Sequence, residues 1–378
     1  MINILAVGLT QNYGGTEAFL LNYASRLNGP RLHVDFLSQA GSLPYADKVS
    51  ALGSRVFFVP KRTSDPLHFG SRVDAFFREH ATDYDVIWDN CCQLTNLTFL
   101  AEAKRHGIPH RVMHGHNSRP MGGRAHQLMH AANRRRVLSV ATDCWSCSDE
   151  ATAWFYGRPG NQLPGYAVIP DAVDFSSLAF SPTAREEVRS SLGLTDEIVI
   201  GNVGRLTAQK NQSFLLEMLK ELRYADPGTP FRLLLVGQGE DEPALRGLAE
   251  SLGVSDAVSF LGARGDVDRL YQAMDIFAFP SLFEGFGMAP LEAQVSGLLS
   301  LVSTACAPGV SLGASCAWLD VEEGPAAWAR ALLGTRPYRR IEQDSSVLDA
   351  SPYNLDHAAA LLAERFEAMV ASDGGERR

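Results

Sequence analysis

The chain has 378 residues and a formal net charge of −9, with 34 lysine and arginine residues against 43 aspartate and glutamate residues. Because a single hydrophobic core seldom grows beyond about 250 to 300 residues, this length predicts two domains. The apolar fraction of 46% and the charged fraction of 20% are ordinary values and indicate a soluble globular protein.

The charge is divided unevenly along the chain. Residues 1–168 carry 17 basic and 13 acidic side chains, a balance of +4, whereas residues 169–378 carry 17 basic and 30 acidic side chains, a balance of −13. We therefore expect the first half to be the part that meets an anionic partner.

Neither a signal peptide nor a membrane span is expected. The apolar opening 2–9 is short and has no charged segment before it, which favours a cytoplasmic protein. The uncharged stretch 293–319 is interrupted by Ser, Thr, Gly and Pro308, so it predicts a helix end, a strand and a loop. Cys144 and Cys147 have the spacing of a redox or zinc pair, but no second Cys or His pair follows at zinc spacing. We therefore interpret them as residues that pack within a buried strand.

Predicted strands and helices alternate through the first half. A strand over 2–9 leads through the loop 11–17 into a helix over 17–27. Further strands are predicted at 32–37, 55–59, 85–88, 111–114 and 142–147. This alternation predicts an α/β domain with a parallel sheet and crossover helices.

The second half repeats the pattern after a hinge expected at 165–180. Its strands are predicted at 197–203, 232–236, 258–261, 276–280 and 298–302. We predict two Rossmann-like, doubly wound parallel-sheet domains facing across a cleft, one over 1–168 and one over 169–352. Residues 353–378 are expected to form a C-terminal helix that crosses back to the first domain, followed by a frayed tail.

Five polar or glycine-rich motifs follow predicted strands, which is where doubly wound domains bind ligands. They are Gly14-Gly15, His114-Gly-His116-Asn117, Gly204-Arg205 with Lys210, Gly237-Gln-Gly239, and the segment from Glu284 to Glu292. Arg205 offers a planar guanidinium and Lys210 a compact ammonium on one loop, a combination suited to binding phosphate. Gly285 and Gly287 predict a tight turn before a helix that begins near Met288.

These motifs resemble those of retaining glycosyltransferases with the two-domain GT-B fold, specifically glycosyltransferase family 4 of the bacterial polysaccharide-biosynthesis type. The resemblance is strongest over 166–301, in the loop 201–211 and in the segment 281–293. It implies transfer of a sugar from a nucleotide-sugar donor, with uridine as the expected base, to a glycan or lipid-linked acceptor. It also implies that no metal cofactor is needed, because protein cations neutralise the diphosphate.

The resemblance assigns a role to each site residue. The residues implied in catalysis are Arg205, Lys210, His114 and Glu284, and those implied in donor binding are Gly15, Gly204, Gly237, Gly262, Arg264, Phe286, Gly287 and Glu292. On the acceptor side it implies Gly14, Glu17, His116 and Asn117. Within this set, Glu292 is expected to bind the ribose hydroxyls, and the Phe286 and Gly287 amides to hold sugar hydroxyls. Two Asp-x-Asp sequences, 83–85 and 266–268, are interpreted as incidental, and no metal site is predicted.

Other functions fit parts of the sequence. Gly237-Gln-Gly239 suggests an oxidoreductase, but Glu242 replaces the third glycine of the dinucleotide motif. A catalytically inactive nucleotide-sugar-binding partner subunit and a sugar-nucleotide epimerase remain as alternatives. Arg134-Arg135-Arg136 lies in a predicted helix over 125–140, which supports the further hypothesis that the first domain contacts an anionic membrane.

Overall fold

The computed structural model describes residues 1–121, 123–284 and 286–373, which form two compact units. Unit 1 comprises residues 1–173 together with the chain from 351 onward, and unit 2 comprises residues 174–350. The boundary predicted at 168/169 lies at 173/174 in the structure.

Unit 1 contains a seven-stranded sheet in which every pairing is parallel, in the order β3-β2-β1-β4-β5-β6-β7. Its strands are β1 Ile2–Val7, β2 Leu32–Ser38, β3 Val56–Phe58, β4 Val86–Cys91, β5 His110–Gly115, β6 Asp143–Ser146 and β7 Ala167–Val168. The helices between them are α1 Gly15–Leu27, α2 Ala46–Ala51, α3 Phe69–His80, α4 Thr98–Arg105, α5 Arg124–Arg136 and α6 Asp149–Tyr156.

Unit 2 contains a six-stranded sheet, again with parallel pairings, in the order β10-β9-β8-β11-β12-β13. Its strands are β8 Ile198–Val203, β9 Phe231–Val236, β10 Val258–Gly262, β11 Ile276–Phe279, β12 Leu299–Ser303 and β13 Cys316–Leu319. Its helices are α7 Phe175–Leu178, α8 Pro182–Ser191, α9 Gln212–Ala225, α10 Glu242–Leu252, α11 Val267–Ala273, α12 Met288–Val295, α13 Pro325–Gly334 and α14 Ser345–Ala350. The predicted pair of doubly wound α/β domains is confirmed.

The last helix, α15 (Leu355–Asp373), packs in unit 1. Its apolar face, which includes Phe366, joins the core beneath the sheet, where the Phe366 ring lies edge-on to Trp88 with the ring centroids 5.7 Å apart. At its surface, Arg26 of α1 pairs with Asp356 at 2.7 Å. The frayed tail predicted after this helix lies outside the described residues.

The strand order places the switch point of each sheet at a definite strand pair. In unit 1 the order reverses between β1 and β4, and in unit 2 between β8 and β11. Ligands of such sheets bind beyond the carboxyl ends of the strands at this point. The loops after β1 and β4 and the loops after β8 and β11 are therefore the segments in which to look for functional side chains. No helix in the described part of the chain combines the length and the apolar character needed to cross a bilayer.

Candidate functional site

Two cations lie on the loop between β8 and α9. Arg205 is exposed, and among the described side chains none pairs with its guanidinium. Lys210 instead donates to Glu284 at 2.5 Å, and its ammonium lies 4.9 Å from the centre of the Phe279 ring. The Lys210 side chain is 19% exposed and that of Glu284 8%, so the pair is largely shielded from water yet reachable from the surface.

Hydrogen bonds join this loop to the loop after β11, so the two sides of the switch point form one structure. The Gln209 carbonyl accepts from the Leu282 amide at 2.8 Å and from the Ser281 hydroxyl at 3.1 Å. The Gln209 side chain donates to the Phe283 carbonyl at 2.9 Å, and Ser281 also donates to Glu284. Lys210 and Glu284 are therefore held by backbone on both sides, as preorganised charge stabilisation requires.

Gly237 is required by the fold itself. It has φ +136°, and a Cβ atom there would lie 2.0 Å from the Gly204 carbonyl oxygen. Gly239 is also required, because a Cβ atom there would lie 2.1 Å from the Leu206 carbonyl oxygen. The Gly-x-Gly sequence that suggested a dinucleotide motif is thus explained by the close passage of two backbone segments.

Glu292 lies in α12, where Tyr271 of α11 donates a hydrogen bond to its carboxylate at 2.7 Å. Burial raises the pKa of Glu292, and the Tyr271 hydrogen bond opposes that rise. The carboxylate thus has one fixed partner and is oriented by it. Gly287, at φ +95°, caps the start of the same helix, as the tight turn predicted. Gly285 lies outside the described residues.

Two other predicted donor residues lie at the end of β10 and just beyond it. Gly262 ends that strand with φ +67°, and its carbonyl accepts from the Gly237 amide at 2.8 Å. Arg264 is exposed and forms two hydrogen bonds of 2.7 Å with Asp266. This pairing gives Asp266, in one of the two Asp-x-Asp sequences, a local partner. Phe286 is half-buried beside the turn.

In unit 1, Glu17 holds the loop after β1 against the start of α1. Its carboxylate accepts from the Gly14 amide at 3.0 Å and from the Thr10 amide at 3.1 Å, and it is buried. This is the reciprocal half of a capping box. Gly15 differs, because a Cβ atom there would meet nothing within 4 Å. The fold therefore requires Glu17 but places no steric demand on Gly15.

His114 lies in the core of unit 1, with 0% of its surface exposed. Its Nδ1 accepts from Trp88 Nε1 at 3.2 Å, and its ring stacks on His116 at 4.3 Å. The Nε2 atom is shielded and has no hydrogen-bond partner among the described residues. Burial keeps the pKa of His114 well below its usual value, so the ring is neutral. In this structure His114 has no surface from which to contact a ligand.

His116 lies nearer the surface than His114. Its Nε2 is 2.9 Å from Asn90 Oδ1, and burial lowers its pKa to about 3. Asn117 is used locally, since its amide donates to the Arg119 carbonyl at 2.7 Å. Two acids nearby were not singled out from the sequence, the buried Asp89 and the partly buried Asp171, whose pKa values desolvation raises to about 7 and about 6. Polar residues ending the apolar strand β4 were the available signal for Asp89.

Comparison with known proteins shows which proteins share this architecture. The family model described as "Glycosyl transferases group 1" matches residues 184–315, which span the loops after β8 to β12. Among solved structures, a glycosyltransferase from Rickettsia africae ESF-5 superposes with a TM-score of 0.78 at 14% identity, covering 98% of both chains. The Anabaena protein Alr3699/HepE superposes with a TM-score of 0.71 at 20% identity over the full length of both chains.

Two sequence relatives are similar to this chain over nearly its whole length. The protein EpsF of Bacillus subtilis (strain 168) is 28% identical over 90% of this chain and 91% of its own. The D-inositol 3-phosphate glycosyltransferase of Corynebacterium urealyticum is 28% identical over 95% of this chain and 92% of its own. The two-domain GT-B fold expected from the sequence motifs is confirmed, and the chain is similar to glycosyltransferases over nearly its whole length.

Proposed function

We propose that this protein is a retaining family 4 glycosyltransferase that moves a hexose from a UDP-sugar to a glycan or lipid-linked acceptor in cell-surface polysaccharide biosynthesis. The observation that carries the proposal lies at one switch point, where the exposed Arg205 guanidinium, which pairs with no described side chain, shares a loop with Lys210 of the Lys210–Glu284 ion pair. A nucleotide diphosphate placed there meets the available Arg205 guanidinium and the Lys210 ammonium, which Glu284 holds in position.

The two cations supply different contacts to the departing diphosphate. Arg205 provides a planar fork for two phosphate oxygens, whereas Lys210 provides a point charge. When the sugar–phosphate bond breaks, charge grows on the diphosphate and both interactions strengthen, which lowers the barrier. The leaving phosphate takes the acceptor's proton in this scheme, so no protein base is assigned. The same two cations make a metal ion unnecessary.

The remaining residues of unit 2 position the donor. Glu292 accepts hydrogen bonds from the ribose hydroxyls while Tyr271 holds its carboxylate in place. The Phe286 and Gly287 amides and Glu284 hold the sugar hydroxyls, and the Gly262 to Arg264 loop contacts the base. Uridine is supported by the solved Alr3699/HepE complexes with UDP and UDP-glucose. A Mycobacterium tuberculosis relative named as GDP-mannose-dependent makes guanosine the base to test against it.

We assign acceptor binding to unit 1, where Glu17 holds the loop before α1 through the Gly14 amide. We also propose a peripheral contact of unit 1 with the inner face of the cell membrane. Helix α5 leaves Leu128 72% exposed and bears the exposed Arg124, Arg135 and Arg136, a combination of apolar and basic groups that suits anionic lipid. Arg134 is excluded from this face because it donates inward to the Trp154 carbonyl and to His130.

The donor assignment is tested with the purified full chain in EDTA and a panel of UDP-glucose, UDP-galactose, UDP-N-acetylglucosamine and GDP-mannose. We expect thermal stabilisation and release of UDP from one UDP-sugar. The Arg205→Ala variant should lose about 100-fold in rate, and Arg330→Ala, an exposed arginine elsewhere in unit 2, should lose nothing. Loss of activity in EDTA, or an isomerised donor without transfer, would overturn the proposal.

Membrane contact is tested by liposome flotation with vesicles containing phosphatidylglycerol. The triple variant Arg124→Glu, Arg135→Glu, Arg136→Glu should stay in solution while the wild type floats. Arg134 is left unchanged, because its inward hydrogen bonds would confuse loss of binding with loss of folding. Absence of wild-type flotation would end this part of the proposal without affecting the donor site.

A further inference from the structure

A pocket of about 350 Å³ opens at the carboxyl edge of the unit 1 sheet, on the side of β1 away from the switch point. Three strand-end loops line it: the loop after β1, the loop after β2 and the chain at and beyond the end of β3. The side chains that bring chemistry to it are Gln11, Gln39, Phe58, Lys61 and Ser64. None of them belongs to the motifs considered so far.

One buried polar atom in this pocket has no partner among the residues that the structure describes. Gln39 Nε2 is shielded from solvent and makes no hydrogen bond within the described part of the chain. Buried amide donors are nearly always satisfied, and an unsatisfied one calls for an explanation. A ligand oxygen in the pocket would supply the missing acceptor.

Two further groups are exposed. The Phe58 ring is 47% exposed at the end of β3. The carbonyl of Lys61 accepts from the Ser64 and Asp65 amides, whereas its ammonium pairs with none of the described residues. The local turn therefore fixes the backbone of Lys61 and leaves its charge available.

A depression in unit 2 makes a useful contrast. It has a volume of about 450 Å³ and contains Arg185 and Arg189, but both arginines pair with Asp275 and with backbone carbonyls. These two arginines thus have their partners inside the protein. In the unit 1 pocket the amide and the ammonium have none among the residues described, so that pocket is the better candidate for a ligand.

We propose that the unit 1 pocket is an acceptor subsite that binds one sugar ring carrying an anionic group, either a phosphate ester or a carboxylate. An aromatic ring can pack against the apolar face of a pyranose, amides bind its hydroxyls, and a lysine ammonium binds the anion. The volume fits a monosaccharide with one substituent. This inference rests on the proposed function, because a transferase needs an acceptor, and it adds the acceptor's chemical class.

Isothermal titration of the full chain tests this with four probes: glucose, glucose 6-phosphate, glucuronic acid and inorganic phosphate. We expect at least one of the two anionic sugars to bind about tenfold or more tightly than glucose, and which of them binds distinguishes phosphate ester from carboxylate. Inorganic phosphate should bind more weakly than the anionic sugar, because it makes no contact with Phe58.

Two variants separate the contacts. Lys61→Gln should remove the preference for the anionic sugar, and Phe58→Ser should weaken every sugar by about fivefold or more. Arg62→Gln, the neighbouring cation that does not line the pocket, is the matched control and should bind as the wild type does. Unchanged binding in Lys61→Gln, or no saturable binding by either anionic sugar, overturns the inference.

UDP binding, measured by thermal shift on the same samples, keeps the two proposals distinguishable. UDP binding without sugar binding refutes the acceptor subsite and leaves the donor site standing. Sugar binding without UDP binding refutes the donor assignment.

Discussion

The first six strands of unit 1 have the same order as the six strands of unit 2, but the two units differ in how polar side chains are used at the carboxyl edge of the sheet. In unit 2 the switch-point loops present Arg205 to solvent and hold Lys210 against Glu284 near the surface. In unit 1 the corresponding polar residues are drawn inward: Glu17 caps its own loop and His114 is enclosed by aromatic rings.

The difference shows that a motif at a strand end is not sufficient evidence of ligand contact. Charged groups whose partners come from another loop, or are missing, indicate a binding role, whereas groups saturated by their own loop indicate a structural one. By this criterion unit 2 has the stronger site, and the predicted role of His114 stays a prediction. The tests that follow probe the contrast in order of expected effect.

The largest effect is expected for Lys210→Ala, which should slow sugar transfer by about 1000-fold. The variant removes a preorganised cation, worth about 100- to 1000-fold, and leaves the Glu284 carboxylate unpaired next to the donor diphosphate. Steady-state kinetics with the donor found in the panel measures this.

Lys220→Ala, an exposed lysine of α9, is the control and should retain full activity. Glu284→Gln keeps the ammonium and should cost less than Lys210→Ala. Equal rates in the Lys210 variant and the wild type would remove the main distinction between the two units.

A second contrast concerns two glycines that the resemblance assigns to donor binding. Gly237→Ala should lower the free energy of unfolding by about 4 kcal/mol, because its Cβ would collide with the Gly204 carbonyl at a backbone angle that favours glycine. Gly15→Ala meets open space and should leave stability unchanged or raise it by up to about 1 kcal/mol. Urea denaturation compares them.

If Gly15→Ala keeps its stability and loses activity, the absence of a side chain at residue 15 is required for ligand binding and not for folding. Should both variants unfold equally easily, the geometry of the first turn of α1 has been misjudged.

The sequence was sufficient for the architecture but not for the environment of each side chain. Alternating apolar runs predicted most strands of both sheets, whereas β13 was missed because it lies in an uncharged stretch without clear boundaries. The Arg264–Asp266 ion pair is local and could be predicted from the sequence, since the two residues are two positions apart. The Lys210–Glu284 pair joins residues 74 positions apart and depends on the packing of two loops.

The burial of His114 could not be read from its own strand. Its surroundings come from α1, β4 and β6, which supply Phe19, Trp88 and Trp145. A polar loop sequence therefore suggested exposure where tertiary packing produces a core residue. The placement of the motif loops at strand ends, in contrast, followed from the predicted alternation of strands and helices, because parallel sheets bring the loops after their strands to one edge.

A third test uses Asp89, the buried acid at the end of β4. Burial raises its pKa from 3.8 to about 7, so the folded state binds this proton more tightly than the unfolded state does. The resulting stability is present below about pH 4 and is lost as the pH rises to about 7. Asp89→Asn removes this loss, so its free energy of unfolding relative to the wild type should grow by a few kcal/mol across that window.

Urea denaturation at intervals between pH 4 and pH 7 gives this difference directly, and taking the difference cancels the contributions of the neutral histidines. A difference that stays constant with pH would mean that Asp89 is ionised in the folded protein, with a compensating partner. Unit 1 would then resemble unit 2 in pairing its charges.

The smallest effect is expected at Glu292, where the carboxylate is proposed to bind and not to react. Glu292→Gln keeps the shape but weakens the acceptor of the ribose hydrogen bonds, so UDP should bind about tenfold more weakly while the rate at saturating donor changes little. Tyr271→Phe retains the carboxylate and removes the hydrogen bond that orients it, and so should cost less. Equal UDP affinity in Glu292→Gln and the wild type would show that the α12 carboxylate serves the fold, as Glu17 does in unit 1. Its burial and its hydrogen bond from Tyr271 would then be purely structural features.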